Sequence, residues 1–250
     1  AWSLPPLATP TTSYPTFYSV WANGLSDVWA VGSLGVIRRY NGTSWSNSPQ
    51  SGVVTTNYLE RVWGTSPSNI FATGGLGAFL KYDGTTWAAV PPSGAATTNY
   101  LYGMWTSSPT NGWAVGDSGT LLNYTGASYT NSAQSGVIST TGLRAVWGTA
   151  PSDVWAVGEL GVAMHYDGAN WAQFPTGTSQ TLQAVWRRAP NQVWMVGTAG
   201  TILFWDGTRF TAQASGTGQS LYGVWGIGSV VWAVGAGGVI LKWDGTSWST

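Results

Sequence analysis

The 250-residue chain carries nine basic and nine acidic side chains, for a formal net charge of zero, and is 43% hydrophobic with 18 Trp and 11 Tyr. This balance gives no electrostatic footprint for nucleic acid or an anionic membrane surface, and so aromatic a composition is not that of a disordered chain. Cys is absent, which excludes disulfides and thiolate metal sites.

The chain opens on "AWSLPP", which reads as a trimmed end with no signal peptide in view. Trp2 precedes Trp29 at almost the spacing by which Trp45 precedes Phe71. Residues 1–16 are therefore expected to form an extra closing strand and loop. That strand would dock beside the last repeat, with Trp2 or Trp248 in the outermost position.

From residue 17 a unit recurs. Trp21, Trp63, Trp105, Trp147, Trp186 and Trp225 each follow Val or Met. A second aromatic follows at Trp29, Phe71, Trp113, Trp155, Trp194 and Trp232, and a third, at a constant interval beyond the second, at Trp45, Trp87, Tyr129, Trp171, Phe210 and Trp248. The interval between successive second aromatics is the same for the first four repeats and slightly shorter for the last two. A period of about 40 residues built of short β segments is that of a four-stranded propeller blade.

Each unit divides by its turn chemistry. A first strand such as "LYGVW" ends at a Pro- or Asx-containing loop. The second strand, "VWAVG", alternates as a half-buried strand does. "GSLG", "GDSG", "GELG" and "GTAG" read as two-residue loops bracketed by Gly. The third strand ("VIRRY", "VILKW") closes on Asn41-Gly42, Asp83-Gly84, Asp167-Gly168, Asp206-Gly207 or Asp244-Gly245. These dipeptides suit a type I′ turn, which needs positive φ at both central residues. The apolar, uncharged stretch Gly226 to Leu241 is too short to span a bilayer and reads as two strands.

The expected fold is all-β: a six-bladed β-propeller, four antiparallel strands per blade, forming one domain over 1–250 and closed by pairing of the terminal segments. The repeats run approximately 17–58, 59–100, 101–142, 143–181, 182–220 and 221–250. Aromatics recurring in every blade are the glue between blades, so recognition falls to the positions that differ. The linkers 48–58, 90–100 and 132–142 are longer than 174–181 and 213–220, and the N-terminal linker resembles the long set. Candidate ligand-binding residues on that rim are Tyr14, Asn57, Tyr58, Asn99 and Tyr100. Asp117 and Glu159, at the loop position after "AVG" in adjacent blades, join them as hydrogen-bond acceptors. His165 aligns with Arg39, Lys81, Asn123 and Lys242 in an outward polar slot. No run of alternating acids supports a metal site, and no catalytic motif is present.

The pattern "LxxVWG…DVWAVGxxGxIxxYDGxxW", spread over residues 17–248, resembles tectonin-type repeats and the Trp-rich propeller lectins of bacteria. The resemblance implies a non-enzymatic carbohydrate-binding protein with several similar weak sites between blades, acting by multivalency. It also implies no cofactor, glycans on a cell surface as partners, no nucleic acid, no membrane insertion, and a secreted or cell-surface location. "YDGTTW" (82–87) resembles the Asp-box of sialidases but is one residue shorter between Asp and Trp. A protein-interaction scaffold is the alternative function. A sialidase-like hydrolase is the more distant one, with Glu60, Arg61 and Arg144 as its catalytic case near the central channel.

Overall fold

A computed structural model describes residues 15–250. They form six four-stranded antiparallel sheets, each a simple meander. Sheet one comprises β1 (Phe17–Gly24), β2 (Asp27–Gly32), β3 (Ile37–Tyr40) and β4 (Trp45–Asn47). Sheet two comprises β5 (Leu59–Ser66), β6 (Asn69–Gly74), β7 (Phe79–Tyr82) and β8 (Trp87–Ala89). Sheet three comprises β9 (Leu101–Ser108), β10 (Asn111–Gly116), β11 (Thr120–Tyr124) and β12 (Tyr129–Asn131). In sheet four are β13 (Leu143–Ala150), β14 (Asp153–Gly158), β15 (Ala163–Tyr166) and β16 (Trp171–Phe174). In sheet five are β17 (Leu182–Ala189), β18 (Gln192–Gly197), β19 (Ile202–Trp205) and β20 (Phe210–Gln213). In sheet six are β21 (Leu221–Ile227), β22 (Val230–Gly235), β23 (Ile240–Trp243) and β24 (Trp248–Ser249). The fold is the expected six-bladed propeller. First strands of successive sheets pack side by side from β1 to β21 around a central channel.

The core lies between sheets. Trp29, Val31 and Ile37 of sheet one meet Leu59, Ile70, Leu80, Tyr82 and Trp87 of sheet two. The rings of Trp29 and Trp87 meet edge to face, centroids 5.5 Å apart. The same set recurs at Trp113 against Tyr166 and Trp171, and at Trp155 against Trp205 and Phe210. One full aromatic burial is worth about 4–6 kcal/mol at ~25 cal/mol/Å². The repeated aromatic is thus the main adhesive, and none is spare for a ligand in these interfaces. The polar slot on strand three also serves packing. His165 accompanies Trp155 at 4.6 Å and shares a 2.6 Å hydrogen bond with Asp153, and burial holds its pKa below the usual value.

The first-strand tryptophans alternate between two dispositions, and a single neighbouring position decides which. The residue after each of them is Ala22, Gly64, Thr106, Gly148, Arg187 and Gly226 in turn. Where the next sheet offers Gly, the ring lies on that backbone: a Cβ at Gly64 would come within 2.8 Å of Trp21, at Gly148 within 2.7 Å of Trp105, and at Gly226 within 2.5 Å of Trp186. Where the next sheet offers Thr106 or Arg187, the space is filled. Trp63 and Trp147 then turn inward, Trp225 of sheet six lies inward with them, and the rings meet across the channel, Trp63–Trp147 at 4.9 Å and Trp147–Trp225 at 4.7 Å.

Two turn expectations need correction. At the Asn-Gly and Asp-Gly hairpins only Gly takes positive φ, for example +104° at Gly84. The Asp side chain occupies the position before the turn and accepts hydrogen bonds from the two residues beyond the Gly: Asp83 Oδ1 accepts from Thr85 N (2.8 Å), Thr85 Oγ1 (2.7 Å) and Thr86 N (2.9 Å). A side chain that mimics a backbone acceptor removes the need for a second left-handed residue. The left-handed pair lies instead in the loop between strands two and three, one residue later than the Gly bracketing implies. Leu34 and Gly35 both have positive φ, and Val36 N donates to Ser33 O at 3.1 Å.

The expected pairing of terminal segments rests on Trp2, outside the described residues. Sheet six supplies its own outer strand, with Trp248 paired to Trp243, so Trp248 holds the fourth-strand position.

Candidate functional site

Because β1 begins where β2 ends (Phe17 opposite Gly32), three features share one face: the starts of the first strands, the strand-two-to-three loops, and the linkers between sheets. The second residue of each first strand points into the channel mouth at that face. The repeat places Tyr18, Glu60, Tyr102, Arg144, Gln183 and Tyr222 there, one per sheet, and Arg61 completes the lining of a cavity of about 330 Å³. Next to it, a second cavity of about 230 Å³ lies against Val62, Met104, Val146 and the three inward tryptophans. One repeat position thus yields six chemically distinct contacts around a single opening.

The mouth is wired to the loops. Tyr100 donates to Glu60 Oε1 at 2.8 Å and stacks on Tyr102 at 4.9 Å. Burial, then the Glu60 carboxylate, push the Tyr100 hydroxyl pKa well up. Arg144 lies over the Tyr102 ring at 4.1 Å and is ion-paired with Glu159. Glu159 also accepts from Gly142 N at 3.1 Å. Burial works against both charges, but their pairing outweighs it, keeping Arg144 up and Glu159 down. Burial also raises Tyr102, outweighing the Arg144 guanidinium that pulls it down, and the Asp117 carboxylate adds to the rise. Arg61 differs. It donates through Nε to Tyr102 O at 3.3 Å, has no carboxylate within ion-pair distance among the described residues, and is pushed down by burial despite Glu60.

Of the residues singled out from the sequence, Tyr100, Asp117 and Glu159 therefore converge on the mouth. Tyr58, half exposed, stands edge-on to Tyr18 at 6.2 Å. Asn99 braces the loop instead, donating to Thr120 Oγ1 (2.8 Å) and Asp117 O (3.3 Å). Asn57 is half-buried, its backbone N–H bound to Thr55 Oγ1. Tyr14 lies outside the described residues. Glu60, Arg61 and Arg144, considered above for catalysis, line the mouth together. Sequence reasoning passes over Tyr18, Tyr102, Gln183 and Tyr222; their signal is that the position after each strand-opening Leu or Phe differs from blade to blade. It also passes over Leu34, Leu76 and Leu160, which stand exposed at the tips of left-handed turns on this face. Such a backbone costs about 1–2 kcal/mol at a non-Gly residue. Among the described residues no three His, Cys, Asp or Glu cluster as metal ligands.

No family model and no curated protein matches the sequence. Solved structures match in shape: YCF48 bound to a D1 peptide (TM-score 0.73, 17% identity, 95% of this chain and 80% of that one), the RRP9 WD40 repeats (0.75, 8%, 93% and 77%), and streptogramin B lyase (0.79, 12%, 95% and 84%). At such identities the likeness is one of fold, and by that measure the chain is a β-propeller akin to the YCF48 and WD40 propellers.

Proposed function

We propose that the protein is a non-enzymatic scaffold propeller whose channel mouth binds an extended polypeptide segment bearing a carboxylate. The observation that carries this is the mouth lining: three Tyr, two Arg, one Glu and one Gln drawn from all six sheets around one cavity. Tyr and Arg are the side chains that dominate polypeptide interfaces. A volume near the bottom of the pocket range of ~300–1,000 Å³ suits a peptide segment better than a folded partner. Arg61, half-buried in the throat without an ion-pair partner among the described residues, gains most from an incoming anionic group, because a charge drawn partly out of water is costly until it is met. The exposed Leu34, Leu76 and Leu160 extend an apolar rim around the opening. A peptide-bound YCF48 among the fold relatives supports the same reading.

Glu60 and Arg144 are tied to Tyr100 and to Glu159, an arrangement suited to shape and charge recognition more than to proton transfer. A sugar-binding reading rests on the exposed Tyr18–Tyr58 pair and on the lectin resemblance, and the same experiment decides between them. A random peptide library selected on the immobilised protein should enrich sequences with Asp, Glu or a free C-terminus. Arg61→Met and Tyr222→Ala should each weaken the selected peptides at least tenfold, about 1.4 kcal/mol, with the unfolding midpoint unchanged. Selected peptides indifferent to both substitutions, with binding on a glycan array that a monosaccharide competes away, would overturn the scaffold reading in favour of a lectin.

A further inference from the structure

The strand-three residue that pairs with the strand-two aromatic is a cation in three of the six sheets. Arg39 lies over Trp29 at 5.1 Å, Lys81 over Phe71 at 5.5 Å and Lys242 over Trp232 at 5.5 Å. In sheet one the cation is held within its own sheet, Arg39 Nε donating to Asp27 Oδ1 at 2.8 Å. In sheet two it reaches across to the next sheet. Lys81 Nζ donates to Tyr124 Oη at 3.0 Å and to Pro109 O at 3.5 Å, and it lies 5.4 Å from the centre of the Tyr124 ring. The junction of sheets two and three is thus closed by an ammonium held between aromatic rings of both sheets, an attraction that strengthens as water is removed.

The junction of sheets four and five departs from this pattern on both sides. The strand-three residue is His165, paired with Trp155, and the counterpart of Tyr124 is Trp205, which has no hydroxyl. The imidazole is too short to cross. Its Nε2 shares the 2.6 Å hydrogen bond with Asp153 of its own sheet, its ring lies on Trp155, and burial holds it towards the neutral form. A cavity of about 540 Å³ separates the two sheets here, lined by Asp153, His165, Phe174, Arg187, Pro190 and Trp205 among others. The corresponding groove of sheets two and three, which contains Lys81, has a volume of about 160 Å³. Its Lys81, Val90, Tyr124 and Gly126 are the counterparts of His165, Phe174, Trp205 and Gly207. Pro190 stands where Pro109 receives the Lys81 ammonium. Arg187 does not take that place: it is buried, donates through Nε to Ala189 O at 3.0 Å, and is ion-paired with Asp153. Those two charges offset one another, and Asp167, two residues beyond His165, acts on the imidazole to favour positive charge.

We infer that the cavity between sheets four and five is a binding site for a small organic cation, a primary alkylammonium, which takes the place that Lys81 fills from within the chain between sheets two and three. The ammonium would donate to Pro190 O and rest against the Trp205 ring, with the alkyl chain along Phe174 and His165. A cavity of this size, with aromatic walls and a few polar groups, is of the kind that holds small ligands. It lies where strand two begins, at the end of the sheets opposite the mouth, so it is independent of the peptide reading.

The test is a titration with n-butylamine, the Lys side chain freed from its backbone, followed by ligand-observed NMR at about pH 8, where alkylamines are protonated. The neutral control is n-butanol. The parent chain should bind butylammonium saturably, one per chain, and n-butanol about tenfold or more weakly. His165→Lys, which copies sheet two, should abolish butylammonium binding with a thermal midpoint at or above that of the parent. Lys81→Ala, which opens the counterpart place between sheets two and three, should raise the stoichiometry to two. Four results overturn the inference: no saturable binding to the parent; equal binding of amine and alcohol, which makes the cavity an apolar void; butylammonium binding unchanged in His165→Lys, which places the ligand elsewhere; or a stoichiometry of one in both the parent and Lys81→Ala, which separates the cavity from the cation place of the repeat. None of these outcomes bears on the mouth, so the two readings fail separately.

Discussion

The two ends of the channel are built from the same six strands and obey opposite rules. At the inner end the residue is Trp in every sheet, and only its neighbour alternates between Gly and a side chain. At the mouth, upstream on the same strands, no such constraint holds, and Tyr, Glu, Tyr, Arg, Gln and Tyr follow one another. The end that must be sealed is repetitive because three rings fill the gaps left by glycines of the next sheet and the other three fill the channel. The open end is free to vary because its side chains meet solvent. Stability and recognition are thereby separated by about three residues, or ~10 Å along a strand.

That separation breaks first if the interface aromatics carry no more weight than the mouth residues. Trp155 is 2% exposed and touches Trp205, Phe174 and Phe210. Trp155→Ala should cost about 3–5 kcal/mol in urea unfolding. Tyr102→Ala at the mouth should cost less than half as much.

The alternation at the inner end gives the next largest effect. Gly148→Ala forces a methyl to 2.7 Å from the Trp105 ring, and overpacking of this kind costs about 1–3 kcal/mol. Ala22, at the equivalent position of sheet one, is exposed. Ala22→Gly should shift stability by less than about 1 kcal/mol, the backbone-entropy difference alone. Equal losses from Gly148→Ala and Ala22→Gly would show that the Trp dispositions do not depend on the neighbouring residue.

Much of this architecture is readable in the sequence because its determinants are local and sixfold. The aromatic spacing reports the strands, and "DG" reports the outer hairpin even though the side chain, not a second positive φ, makes the turn. The linkers show which rim varies, and Tyr100, Asp117 and Glu159 do reach the mouth from it. The mouth itself is less visible. Tyr18, Glu60, Tyr102, Arg144, Gln183 and Tyr222 lie a full repeat apart from one another and share an opening only once the sheets are arranged radially. Asn99 misleads because an exposed-looking amide in a linker is also what a loop needs to bind its own backbone. The Gly-to-side-chain alternation after each first Trp is present in the letters, but its meaning depends on which ring lies over which backbone.

A weaker effect separates binding from folding at the mouth. Arg144 lies on Tyr102 and is paired with Glu159, with both charged side chains partly exposed. Such pairs contribute about 0–1 kcal/mol to stability. Arg144→Gln should therefore leave the urea midpoint almost unchanged while weakening a selected carboxylate-bearing peptide severalfold, measured by fluorescence titration at two salt concentrations. A loss of stability exceeding the loss of affinity would place Arg144 with the glue and not with the recognition surface.

The smallest effect concerns the outer hairpins, far from both channel ends. Backbone and Thr hydroxyl donors hold Asp83, Asp206 and Asp244 at about 2, against an ordinary 3.8. A carboxyl depressed in the folded state binds its proton later than in the unfolded chain, so its contribution is complete above the unfolded value and declines as pH falls from about 4 towards 2. All three are solvent-exposed, which keeps the effect small and salt-sensitive. Asn41 accepts the same three bonds without a charge, from Thr43 N, Thr43 Oγ1 and Ser44 N, so the turn also forms on a neutral oxygen, and ionisation adds to it. The Asp83→Asn, Asp206→Asn, Asp244→Asn triple variant should unfold slightly below the parent at pH 7 and lose less of its unfolding midpoint between pH 5 and pH 2. A parallel decline of the two proteins would mean that these carboxyls titrate alike in the folded and unfolded chains.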